Sequence, residues 1–247
     1  MQKIPKIIHY CWFGRGTKNE LIERCIKSWK EYLPDYEIIE WNEDNFDINS
    51  NLYVKQAYEN KKWAFVTDYV RLYVIYHYGG IYLDTDVEVL KSLDIFLKNE
   101  AFTGYETEHS IPTGIIACKK NNNFIKLLLD DYINRSFIKK DGTFDYTTNV
   151  KQITNYVKEK FDFNANGEYQ ELEYGFVIYP KDYFCPKSWQ DGSINLTENT
   201  YTIHHFSGSW IETKEERKKR KLKIRLKRTV KILILIFLLL IIFKLKN

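Results

Sequence analysis

The chain is 247 residues long with a net charge of +4, enough for one large α/β domain and too short for two. The charge is split: residues 214–247 carry 13 Lys and Arg against Glu215 and Glu216, which puts the tail at +11 and residues 1–213 at −7. An acidic body with its positive charge confined to a tail argues against a nucleic-acid binder, which holds basic residues on a folded face beside stacking aromatics. Cys11, Cys25, Cys118 and Cys185 are scattered without a Cys-x-x-Cys pair. That spacing argues against a zinc site and a disulfide framework and fits a reducing compartment.

No apolar leader precedes Ile4, so no secretory signal is expected and the domain is expected to begin near residue 3. Residues 4–13 predict a buried strand ended by Gly14-Arg15-Gly16, and the spacing of Ile22, Cys25, Ile26 and Trp29 predicts a helix over 19–33, stopped by Pro34. A strand over 37–41 and a short helix over 54–61 complete a βαβ opening. Residues 64–78 predict a helix that is apolar nearly all round, hence buried, with Gly79 closing it in a left-handed cap. A strand carrying Asp84 and Asp86 follows, then shorter strands over 102–105 and 114–118, helices over 123–134 and 148–161, and a last strand over 200–206. The alternation predicts an α/β domain with a mostly parallel sheet, covered by helices, that binds ligands at the carboxyl ends of its strands.

The tail crowds basic residues over 217–231 and then runs through twelve consecutive apolar residues, 232–243. That run is shorter than the roughly 20 residues of a spanning helix but too apolar to leave in water. With its basic flank it is expected to lie on or insert shallowly into an anionic membrane surface. The expected organisation is a domain over 1–213 and a membrane-associating tail over 214–247.

The chemistry concentrates around two carboxylates, Asp84 and Asp86, at the end of an apolar run. On an extended strand they share a face, and a buried like-charged pair needs a cation. Oxygen ligands one residue apart suit Mn²⁺ or Mg²⁺ bridging to phosphate oxygens. Asp68 and Arg71, three residues apart on the buried helix, share a face, as an internal salt bridge or as pocket residues beside Tyr82. His204 and His205 alternate on the last strand, so one of them can reach the metal, and the expectation falls on His205.

Four segments, Ile4-Pro5-Lys6-Ile7-Ile8-His9 with Trp12-Phe13-Gly14, Ala64 with Asp68-Tyr69-Val70-Arg71, residues 78–86, and His205 with Gly208-Ser209-Trp210, resemble glycosyltransferase family 32. That group of DXD sugar transferases includes bacterial capsular and lipopolysaccharide enzymes, and the sequence is more distantly similar to the glucosylating domains of large bacterial cytotoxins. The resemblance implies a GT-A fold, with a Rossmann-like mixed sheet and flanking helices, and sugar transfer from a nucleotide donor with retention. It implies that Asp84, Asp86 and His205 hold the metal and that Asp84 also lies near the ribose or sugar. Asp68 and Arg71 would hold the sugar hydroxyls and phosphate, and Trp12 would stack on the base. Trp210 would donate its indole N–H to the diphosphate, and Thr147-Thr148-Asn149 would approach the sugar; Ser209, a hydroxyl able to donate to phosphate, and Tyr82 are expected with them among the donor-binding residues. Pro112-Thr113-Gly114 departs from the family in lacking a polar Asn toward the acceptor.

The expected partners are a nucleotide sugar, with UDP-hexose favoured, and a glycan or lipid-linked acceptor in surface polysaccharide synthesis, at the cytoplasmic face of the cell membrane. A phosphatase reading of Asp84-Thr85-Asp86 fails because the fifth residue is Glu88 and the motif lies far from the N-terminus. A membrane-tethered, non-enzymatic sugar-binding scaffold is the alternative, and it would not need the metal triad.

Overall fold

A computed structural model of the chain describes residues 3–112 and 114–208. The tail, Thr113, Ser209 and Trp210 lie outside these residues. Strand β1 (Ile7–Cys11) leads through a loop to α1 (Glu20–Tyr32), whose N-cap Asn19 accepts from the Ile22 amide. Strand β2 (Glu37–Trp41), α2 (Leu52–Glu59) and α3 (Trp63–Tyr78) follow. Next come β3 (Gly80–Leu83), β4 (Val87–Val89), β5 (Ala101–Gly104), β6 (Ile115–Cys118) and α4 (Asn123–Asp130). The chain continues through α5 (Asn149–Lys160), β7 (Gln170–Leu172), β8 (Phe176–Tyr179), α6 (Lys181–Phe184) and β9 (Thr202–His204).

Seven strands form one sheet in the order β2-β1-β3-β6-β5-β8-β7. Strands β2, β1, β3, β5 and β8 run one way, and β6 and β7 run the other. This is the mixed α/β class expected of the sequence. The carboxyl ends of β1, β3 and β5 therefore reach the same edge, delivering Trp12, Asp84 and Glu106 there, and reversed β6 starts beside them at Gly114. One face of the sheet packs against α3 through Val66, Val70 and Val74, and the other packs Trp29 of α1 against Tyr10 and Ile81.

The strand expected to carry both aspartates is divided. β3 ends at Leu83, residues 84–86 turn with the Val87 amide donating to the Asp84 carbonyl at 3.0 Å, and β4 pairs antiparallel with β9 in a separate two-stranded sheet. Side-chain alternation along an extended strand therefore does not set the two carboxylates. The cap after α3 also differs from expectation. Gly79 has φ 70° and ψ 179°, a region open essentially to glycine alone, and a Cβ on it would lie 2.8 Å from the Lys120 nitrogen.

His9, on β1, locks this turn. The Trp41 indole N–H donates to His9 Nδ1 at 3.0 Å, leaving Nε2–H to donate to the Gly79 carbonyl at 2.8 Å. Burial lowers the His9 pKa from 6.5 to about 4. Between those values the unfolded chain binds a proton that the folded chain refuses, so stability falls as the pH drops through this window, by about 3 kcal/mol in all. Urea midpoints measured from pH 7 to pH 4 should show this slope in the wild type, and His9→Gln, which cannot titrate, should lose about one proton of it.

Candidate active site

Two buried side chains of α3 and the turn after β3 form the centre. The apolar surround of α3 leaves no room for an unpaired charge, and Asp68 and Arg71 are both only 7% exposed. Arg71 Nη2 lies 3.1 Å from Asp84 Oδ1 and 3.6 Å from Asp68 Oδ1. Its Nε donates back to the Thr67 carbonyl at 3.3 Å, and its guanidinium carbon sits 4.7 Å from the centre of the Tyr82 ring, a cation–π contact. Burial opposes the charge on Arg71, but Asp84, Tyr82 and Asp68 together raise its pKa. Burial pushes Asp68 up to about 7, against the pull of Arg71.

Asp86 turns to different partners. Its Oδ2 accepts from the Ser207 amide at 2.7 Å, and its Oδ1 lies 3.4 Å from His204 Nε2. Burial works against the Asp86 charge, yet the His204 and Ser207 contacts hold its pKa well below the usual range, and Asp86 in turn raises that of His204. Gly114 permits this approach: a Cβ there would stand 2.6 Å from Val87 and 3.2 Å from the His204 ring.

The histidine that faces the aspartates is thus His204. The pairing of Val87 with His204 in the β4–β9 ladder presents His204 to Asp86. His205, one residue on, points away, as strand alternation requires. Its Nε2 lies 2.7 Å from Glu88 Oε2, its amide donates to the Asp86 carbonyl at 2.9 Å, and its own carbonyl accepts from Lys187.

The other expected residues are dispersed. Trp12 follows β1 half-buried, its indole N–H donating to the Gly16 carbonyl at 2.7 Å and Lys18 lying 5.2 Å over its ring. Tyr82 is 2% exposed and serves as the floor beneath Arg71. Thr148 caps α5, and Asn149 is 5% exposed with neither side-chain polar atom hydrogen-bonded among the described residues.

Two site residues escaped the sequence. Glu106, just beyond β5, has a pKa pushed up to about 7 by burial, with Asp84 and Asp86 adding to the rise against His204 and Arg71. The position after an aromatic-ended strand was its only signal. Arg135 stands 5.1 Å over both the Tyr53 and Tyr132 rings, and its charge lowers the Asp68 pKa; nothing in its local sequence marks it.

Four carboxylates, Asp68, Asp84, Asp86 and Glu106, thus pair with two cationic side chains, Arg71 and His204, while Arg135 acts on Asp68 from farther away. The excess of negative charge and the hard oxygen donors fit a divalent cation. The His204 ring, whose Nδ1 is buried without a hydrogen-bond partner among the described residues, fits a metal ligand. Among the described residues no three acidic, histidine or cysteine side chains already converge as a metal cage; Arg71 holds Asp84, while His204 and Ser207 hold Asp86.

Residues 19–103 match the family model described as the glycosyltransferase sugar-binding region containing a DXD motif. Inositol phosphoceramide mannosyltransferase 3 of Schizosaccharomyces pombe is 30% identical over 129 residues, 49% of this chain and 35% of that protein. Mannosyl phosphorylinositol ceramide synthase CSH1 of Saccharomyces cerevisiae is 32% identical over 128 residues, 46% of this chain and 30% of that protein. The chain spans about a third of the length of these curated relatives. Among solved structures, a glycosyltransferase involved in the glycosylation of the major capsid of PBCV-1 aligns with a TM-score of 0.47 at 14% identity, over 83% of this chain and 95% of that one.

Replacing Arg71 removes the cation from buried Asp68 and from half-buried Asp84, a loss of about 3 kcal/mol. Arg71→Met should lower the urea midpoint accordingly at pH 7. The deficit should shrink toward pH 5 as the orphaned, buried Asp68 takes up a proton, which equilibrium unfolding at the two pH values will check.

Proposed function

We propose that this chain is a DXD-containing glycosyltransferase that moves a hexose from a nucleotide-sugar donor to a glycan or lipid-linked acceptor, with retention of configuration. The observation that carries the reading is the buried Arg71 pinned between Asp68 and Asp84 at the carboxyl edge of the sheet.

Arg71 lies where negative charge develops on a departing diphosphate, and a preorganised guanidinium in a water-poor site stabilises that charge without reorganising. Asp84, Asp86 and His204 would hold Mn²⁺ or Mg²⁺, which supplies Lewis-acid neutralisation of the diphosphate when bound. Asp68 accepts hydrogen bonds from sugar hydroxyls. Its carboxylate is engaged by Arg71 at 3.6 Å on the buried helix, which makes it a poor nucleophile and favours direct attack by the acceptor hydroxyl. In that step the bond from the anomeric carbon to the diphosphate oxygen breaks, the bond to the acceptor oxygen forms on the same face, and the acceptor proton passes to the departing diphosphate. Trp12, at the end of β1, is the candidate platform for the base. Trp210, carried over by resemblance, and Ser209 are proposed diphosphate donors.

UDP-hexoses remain the favoured donors, and the names of the relatives add mannose to the sugars to try. Those relatives are named for inositol phosphoceramide, which supports a lipid-linked acceptor. The basic and apolar tail over 214–247 supports a place at the cytoplasmic face of a membrane. Among the described residues no helix is long and apolar enough to cross one.

The test mixes the full chain with UDP- and GDP-linked hexoses, mannose included, with and without Mn²⁺, and follows release of nucleoside diphosphate. One donor should be consumed slowly, only with metal, and Asp84→Asn/Asp86→Asn should lower the rate at least about a hundredfold. Metal-independent turnover, or turnover that survives the double substitution, would refute the assignment.

A further inference from the structure

The Proposed function leaves Glu106 without a role, although it is one of the four carboxylates at the site. Its placement is built. The Glu106 amide donates to the Ser110 carbonyl at 2.9 Å, and its carbonyl accepts a weak contact from the Cys185 thiol at 3.8 Å, so its backbone is tied on both sides to neighbouring loops. The carboxylate then points at the far side of the histidine that faces Asp86: Glu106 Oε2 is 3.9 Å from His204 Nδ1, while His204 Nε2 is 3.4 Å from Asp86 Oδ1. His204 Nδ1 is the buried ring nitrogen left without a hydrogen-bond partner among the described residues. The neighbourhood offers this nitrogen one acidic oxygen within 4 Å among the described residues, and it is that of Glu106.

An imidazole can present a lone pair at one nitrogen only if the proton sits on the other, and an acceptor behind that other nitrogen fixes both the tautomer and the ring plane. We propose that Glu106 is a positioning residue: it accepts the Nδ1–H of His204 and thereby holds the His204 Nε2 lone pair toward the cation that Asp84 and Asp86 bind. The gap of 3.9 Å closes by a small rotation of two side chains. The backbone need not move, because Gly114 keeps the space beside the ring clear. Strand β5, through Glu106, thus supports a ligand carried by β9, and the site is braced from both sheets.

This inference rests on the metal-dependent reading above, and its test separates the two. Binding of Mn²⁺ to the full chain without donor is measured by the loss of the free-ion electron paramagnetic resonance signal. The chains compared are wild type, Glu106→Gln, Glu106→Asp, His204→Ala, and Glu106→Gln with His204→Ala. Thermal midpoints of all five are taken alongside. Glu106→Gln should weaken Mn²⁺ binding about tenfold or more with little change in melting temperature, Glu106→Asp, one methylene shorter on a contact already at 3.9 Å, should weaken it at least as much, and Glu106→Gln should cost nothing further once His204 is alanine. Wild-type affinity in Glu106→Gln would overturn the positioning role alone. So would a full extra loss in the double variant, which would make Glu106 a direct ligand. A wild-type chain that takes up no Mn²⁺ would overturn this inference together with the metal-dependent reading.

Discussion

One buried guanidinium organises this domain. Arg71 sits on a helix that is otherwise apolar, and such a helix packs only if its charges are matched. Asp68 on the same helix and Asp84 on the next element supply the match, and the Tyr82 ring floors it. The pairing has a geometric consequence: the turn after β3 must come back to α3, which it does because Gly79 and Gly80, with positive φ, allow the chain to reverse tightly from the helix into the strand. His9 and Trp41 then hold that reversal from the neighbouring strands.

The same arrangement leaves the site short of positive charge. Arg71 is divided between two carboxylates, and His204 faces Asp86 on one side and Glu106 on the other. Burial raises the pKa values of Asp68 and Glu106, and the nearby cations only partly oppose the rise. A cation joining the cluster would relieve that shortage, so the features proposed to bind a metal–diphosphate complex are also features that cost the free fold stability. Functional sites commonly carry such local strain against the rest of the structure.

Much of this was legible in the residues. The helix over 64–78 and its two charges stood out because an Asp and an Arg three apart inside an apolar stretch have few explanations, and the aspartates stood out because an apolar run delivers them. What escaped depends on partners distant in sequence. The turn at 84–86 breaks the strand because β4 pairs with β9, more than a hundred residues later, and no local pattern encodes that pairing. Alternation shows that His204 and His205 face opposite ways, but which one faces Asp86 follows from the register of Val87 against His204. Glu106 and Arg135 lie beyond regular elements, where neither the helical nor the strand period offers a guide. Strands β7 and β8 were missed for a similar reason, their run being interrupted by Tyr174 and Gly175 at positive φ.

The central claim is that Asp84 and Asp86, held by different partners, become ligands of one cation beside Arg71. Crystals of the full chain grown with MnCl₂ and UDP, with diffraction collected at the manganese absorption edge, test it most directly. A single anomalous peak is expected between the Asp84 and Asp86 carboxylates, within ligand reach of His204 Nε2, with the diphosphate against Arg71. A peak bound elsewhere, or UDP seated with no peak at these aspartates, would contradict it.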